Sequence, residues 1–134
     1  MPADHKIKYQ IIMEVVNEAF NVLKELLSSV VPPFTATIDD NSQYEVWAIK
    51  QEAGKSQENH VFFGKVIKHA DSITVEFNDH LGKDKLKELF SAYLLQKMNP
   101  HGRIRIHEMN HQLHTDLQGA IDSIWRYYNS MGWI

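Results

Sequence analysis

The sequence predicts an α+β fold: a mostly antiparallel five-stranded sheet with the long N- and C-terminal helices packed on one face. Three observations predict it. Apolar residues recur at three- and four-residue spacing near both ends of the chain, which is the period of an amphipathic helix. Between them the period changes to two, in stretches rich in β-branched and aromatic residues. Short turn-forming segments separate the first four of these stretches in pairs, as antiparallel hairpins require. At 134 residues the chain has the usual size of one domain, and such a domain buries roughly two-thirds of the surface its unfolded chain exposes. One core is expected, and one domain over residues 1–134.

The first helix is read from Ile7, Ile11, Ile12, Val15, Val16, Ala19, Leu23, Leu26 and Leu27, all placed on one stripe over 7–28. Pro32 and Pro33 lack amide donors and end it. FTATI and YEVWAIK flank Asp39-Asp40-Asn41-Ser42 and form a first hairpin. The polar stretch from Gln51 to Asn59 is predicted to be a loop. HVFFGKVIKH and SITVEF, separated by Ala70-Asp71, form a second hairpin, in which Gly64 marks a bulge or a close backbone approach. KDKLKELFSAYLLQKM is helical, with Ser91 as a point where it divides in two. Arg103 to His107 alternates, with Ile104 and Ile106 inward and Arg103, Arg105 and His107 outward, as a half-buried fifth strand. The last helix, over 112–130, carries Leu113, Leu117, Ala120, Ile121, Ile124 and Tyr128 on one stripe.

Composition excludes several classes of chemistry. The absence of cysteine removes thiolate nucleophiles, disulfides, cysteine-type zinc sites and iron–sulfur ligation together. A net charge of -3 gives no electrostatic reason to expect nucleic acid or an anionic membrane as partner. No apolar run approaches the roughly 20 residues needed to span a bilayer, and the first ten residues carry an acid and no apolar signal segment. A cytoplasmic protein is the expectation. The serines occur without a Gly-x-Ser-x-Gly elbow, and no glycine loop suited to phosphate is present. No catalytic constellation emerges, so an enzyme is not expected.

The exit Val31-Pro32-Pro33-Phe34, the hairpin FFGKVIKHADSITVEF, the run SAYLLQKMNPHGRIRI and the ending DLQGAIDSIWRYYNSMGWI together resemble the YdhG-like domain family. Members of that family are described by analogy as frataxin-like iron chaperones. The resemblance implies an antiparallel sheet with the long helices on one face, in agreement with the periodicity. It also implies an alternative function, iron handling by surface carboxylates acting as hard oxygen ligands. Glu14, Glu18 and Glu25 on the first helix are the candidates, with Asp39 and Asp40 extending the edge. Against this, Lys6 and Lys24 interrupt the run, and a charged helix face is ordinarily a solvated one. Asp39 and Asp40, as neighbours in a turn, are also read more simply as solvated turn residues.

Four of the eight histidines fall in HGRIRIHEMNHQLH, residues 101–114. His107 and His111 have the spacing of paired imidazole ligands on a helix, but one ends a strand and the other begins a helix. His111 and His114 share a helical face, at an N-terminus whose dipole opposes added positive charge. The expectation is that His107, His111 and His114 form no tight metal site, and in the alternative metal-handling function they are the ligand set besides the carboxylates. The open face of the sheet is the better candidate. There Glu45, Trp47, Thr74, Glu76, Arg103, Arg105 and His107 should point away from the helices. Cross-strand charge pairing of Glu45 or Glu76 with Arg103 or Arg105 would account for the charges alone. An exposed Trp beside Arg is also what binding surfaces are enriched in. The expected function is therefore non-catalytic binding of a small molecule, a protein or a second copy of the chain, through Glu45, Trp47, Glu76, Arg103, Arg105 and His107, with no cofactor.

Overall fold

The computed structural model describes residues 2–51 and 58–134, with side chains at 6–49 and 60–134. Helix α1 (Pro2–Ser28) leads into strands β1 (Thr35–Asp39), β2 (Gln43–Gln51), β3 (Glu58–Lys68) and β4 (Ile73–Phe77). A 3₁₀ turn (Asp79–Leu81), α2 (Lys83–Leu89), α3 (Ala92–Lys97), β5 (Arg103–Ile106) and α4 (His111–Ser130) follow. All four strand pairings are antiparallel, and the spatial order β1-β2-β3-β4-β5 is the order in sequence. The α+β class is as the sequence predicts, with the sheet wholly rather than mostly antiparallel.

Alternation sets the two faces of the sheet. Val46, Ala48, Val66, Ile73, Val75, Phe77, Ile104 and Ile106 are buried. They meet Val16, Ala19, Phe20, Leu23, Leu26 and Leu27 of α1 and Leu113, Leu117, Ala120, Ile121, Ile124 and Tyr128 of α4 in one hydrophobic cluster. A side chain of this size contributes roughly 1.5–3 kcal/mol when fully buried, so this layer supplies most of what holds the fold. The strand residues that alternate with the buried ones differ: Glu45, Trp47, Thr74 and Glu76 stay partly exposed and Arg103 and Arg105 are exposed.

The first apolar turns of α1 depart from expectation. Ile7 and Ile11 are 55% and 54% exposed, and Tyr9, Ile12 and Met13 are exposed as well. The sequence placed Ile7, Ile11 and Ile12 on the buried stripe. A 27-residue helix is about 40 Å long, whereas five strands about 4.8 Å apart span roughly 20 Å, so among the described residues the stripe runs on past its cover. Burial begins at Val16.

Turn chemistry behaves as its residues dictate. Asp40 Oδ1 accepts from the amides of Ser42 and Gln43 at 2.9 and 2.8 Å, closing the first hairpin. These two donors hold the Asp40 carboxyl below its usual range. The segment predicted as a loop over 51–59 is shorter than expected, because Gln51 and Glu58 pair across β2 and β3. Residues 52–57 of it lie outside the described residues.

The long helical stretch breaks at Ser91, which caps α3. Its hydroxyl accepts from the Leu94 amide at 3.2 Å and donates to Asp116 of α4 at 2.7 Å. Ser91→Ala is expected to cost about 1–2 kcal/mol, since it removes both a cap and a tether between helices. A urea midpoint lowered at unchanged slope would show it, and an unchanged midpoint would refute the capping role.

Candidate functional site

The uncovered face of the sheet is built row by row from the strand register. Glu45 pairs with Lys65, Lys65 with Glu76, and Glu76 with Arg103, so four strands contribute one row of alternating charge. Glu76 Oε2 lies 3.2 Å from Arg103 Nε and 3.6 Å from Lys65 Nζ. The charge pairing expected from the sequence is thus present for Glu76 with Arg103, and Lys65 extends it. Such cross-strand pairs contribute about 0.2–1 kcal/mol each.

Beside this row the face becomes aromatic, and a bulge makes it so. The β2–β3 register shifts between Val46 and Trp47, with Val46 opposite Gly64 and Trp47 opposite Phe62. Phe63, the extra residue, turns into the core. Phe62 and Lys65, three apart, can therefore share the outer face, which strict alternation would forbid. The Trp47 and Phe62 rings meet edge to face at 5.3 Å. Gly64 fits because a Cβ there would lie 3.3 Å from the Glu76 carbonyl oxygen and 3.5 Å from Leu27 of α1, the close approach its sequence position suggested.

Past the end of β4 the surface sinks into an open depression of about 530 Å³. Trp47, Phe62 and Trp133 supply its aromatic walls, Glu45, Lys65, Glu76 and Asp79 its charges, and Asn78 and His80 further polar groups. Its support is a small hydrogen-bonded knot. Asn78 Nδ2 donates to the Phe62 carbonyl at 3.2 Å and to Tyr128 Oη at 3.1 Å, while Asn78 Oδ1 accepts from the His80 amide. Tyr128 Oη in turn donates to the same Phe62 carbonyl. Burial pushes the Tyr128 hydroxyl up to about 12, outweighing the Asn78 hydrogen bond, which acts to lower it.

Trp133 reaches the depression through the way α4 ends. Gly132 has φ 73°, its amide donates to Asn129 O, and the Trp133 amide donates to Tyr128 O. This is a Schellman ending, whose usual apolar contact is made by Trp133 on Tyr128 at 4.9 Å between ring centres.

The six residues singled out from the sequence divide into two groups. Glu45, Trp47 and Glu76 line the depression, and Arg103 adjoins it through Glu76. Arg105 and His107 belong to the opposite end of the sheet. Arg105 Nε donates to Ser72 at 3.1 Å and Nη2 lies 3.5 Å from Asp71, while His107 Nδ1 is 3.3 Å from the Asp71 carbonyl. Register separates them, because Arg105 pairs with Thr74 at the start of β4 and Arg103 with Glu76 near its end.

The residues proposed for iron or another metal are dispersed. Glu14 and Glu18 are exposed on α1, Asp39 forms an ion pair with Lys24, and Asp40 is occupied by its own turn. His111 and His114 lie in the first turn of α4. Among the described residues no three histidine, aspartate or glutamate side chains converge as a ligand group.

Phe62, Lys65, Asn78, Asp79, His80 and Trp133 were not anticipated. The signal for Trp133 was an apolar residue directly after Gly132 at a helix end. For Phe62 and Lys65 it was Gly64 between them, once read as a bulge.

Fold and site together define a small α+β domain with one bare sheet face that deepens into an aromatic and charged depression. Comparison with protein-family models, curated proteins and solved structures found no match. Among the described residues no helix is long and apolar enough to cross a membrane.

Proposed function

We propose that this chain is a non-catalytic binding module whose ligand seats in the depression on the open face of the sheet. The observation that carries this reading is the convergence of Trp47, Phe62 and Trp133 around one concavity rimmed by charges. Concave sites with aromatic walls and few placed polar groups are the usual form of small-molecule sites. The knot of Asn78, Tyr128 and the Phe62 carbonyl holds the walls in place without a ligand, and a preformed site loses little ordering entropy on binding.

Trp47→Ala is the direct test. A library of small soluble fragments is screened by heteronuclear NMR, following the three indole Nε1–H resonances. Trp47 and Trp133 report on the depression, whereas Trp125 lies on α4 and does not line it. Hits are expected to shift the first two resonances, and Trp47→Ala should weaken them at least about tenfold. The reading fails if hits gather at another surface or bind Trp47→Ala unchanged.

A further inference from the structure

We infer that the ligand of this depression is an organic cation, a protonated or quaternary amine carried on an apolar body. The inference rests on the binding reading above and adds the ligand's charge. Two of the three rings are indoles, which present the most favourable faces to a cation. The ring quadrupole attracts a diffuse positive charge from within about 6 Å and offers nothing comparable to an anion.

The balance of charge points the same way. Three carboxylates line the depression, those of Glu45, Glu76 and Asp79, against one ammonium, that of Lys65, and the two imidazoles of His60 and His80. Glu76 is compensated twice, by Lys65 and by Arg103. Among the described residues Glu45 and Asp79 make no comparable ion pair. The Glu45 carboxylate has the Thr37 hydroxyl at 3.4 Å, and the group nearest to Asp79 is His80 at 3.9 Å.

An anionic ligand would have to approach two carboxylates, Glu45 and Asp79, that make no ion pair with a lysine or arginine among the described residues. A small metal ion would require several oxygens converging on one point, and these acids belong to no such group. A bulky monovalent cation satisfies both features, since its charge is spread over carbon-bound hydrogens that rest against rings while carboxylates stand nearby.

The experiment compares three probes by the same indole resonances: choline, its uncharged isostere 3,3-dimethylbutan-1-ol, and benzoate. Choline is expected to shift Trp47 and Trp133 saturably, to leave Trp125 in place, and to bind about tenfold tighter than the isostere. Glu45→Gln and Asp79→Asn, each close in shape to the residue replaced, should each weaken choline several-fold and leave the isostere unaffected. Equal or tighter binding of the isostere or of benzoate at these resonances would overturn the cation assignment and leave the depression standing as a site. If none of the three shifts Trp47 or Trp133, the cation assignment falls. The fragment screen above then decides separately whether the depression binds anything.

Discussion

Replacing Tyr128 by alanine is expected to cost about 3–5 kcal/mol. Its ring is fully buried and packs against Phe34, Phe63 and Trp133 at centroid distances of 5.7, 5.4 and 4.9 Å. Removing it leaves a cavity bounded by other aromatic rings, which cannot collapse readily. Tyr128→Phe separates the ring from its hydroxyl. It keeps the packing but leaves one Asn78 amide proton without an acceptor and removes a donor to the Phe62 carbonyl, at a cost of about 1–3 kcal/mol.

The pH dependence identifies the hydroxyl directly. In the unfolded chain a tyrosine ionises near 10, whereas in the folded protein Tyr128 is pushed up to about 12. Between those values the unfolded state has lost its proton and the native state retains it. Stability therefore falls as pH rises from 10 towards 12, on the order of 2–3 kcal/mol in all. Denaturant unfolding at pH 8 and at pH 11 measures about half of this loss, and Tyr128→Phe should lack most of it. An equal alkaline loss in both proteins would refute the assignment.

Gly102→Ala is expected to cost about 2–4 kcal/mol, from two independent causes. Gly102 has φ 75°, where a side chain is strained, and a Cβ there would stand 2.9 Å from the carbonyl oxygen of Phe77. That oxygen cannot simply withdraw, because the Phe77 amide donates to the Gly102 carbonyl at 3.0 Å. Relief must come from moving the turn that begins at Asn99, whose Oδ1 accepts from the amides of His101 and Arg103. Thermal unfolding reads the cost. A shift of the Arg103 amide resonance would report the displaced start of β5, and a variant as stable as the parent would contradict the conformation given to this turn.

Much of this architecture was legible in residues whose local chemistry has one outcome. The alternation of Arg103, Ile104, Arg105 and Ile106 admits one orientation of β5, and the structure adopts it. Ser91 divides the α2–α3 stretch because a hydroxyl followed by an apolar turn caps a new helix. What stayed hidden depends on registers and distances beyond the reach of local pattern. Trp47, Glu45 and Glu76 could be assigned to the outer face from alternation alone. Their neighbours across the sheet could not, because the bulge at Phe63 decides which β3 residues join them. Arg105 and His107 looked equivalent to Arg103 by alternation, but the β4–β5 register carries them to the Asp71 end. The misplacement of Ile7, Ile11 and Ile12 has a similar origin, since a helical period shows which face is apolar and not how far its cover extends.

That uncovered beginning of α1 divides one continuous helix into two regimes of hydrogen exchange. From Val16 onward the helix is anchored in the core by Val16, Ala19, Phe20, Leu23, Leu26 and Leu27, so release of its amides requires an opening near the size of global unfolding. From Lys6 to Glu14 the side chains are exposed, and an isolated stretch of about a dozen residues is marginal in water. Protection should therefore climb steeply along α1 instead of staying level, with amides near Lys8 exchanging through fraying and those near Leu23 only through unfolding of the domain. The two ends of one helix would then belong to different cooperative units, although no break in the backbone marks the boundary.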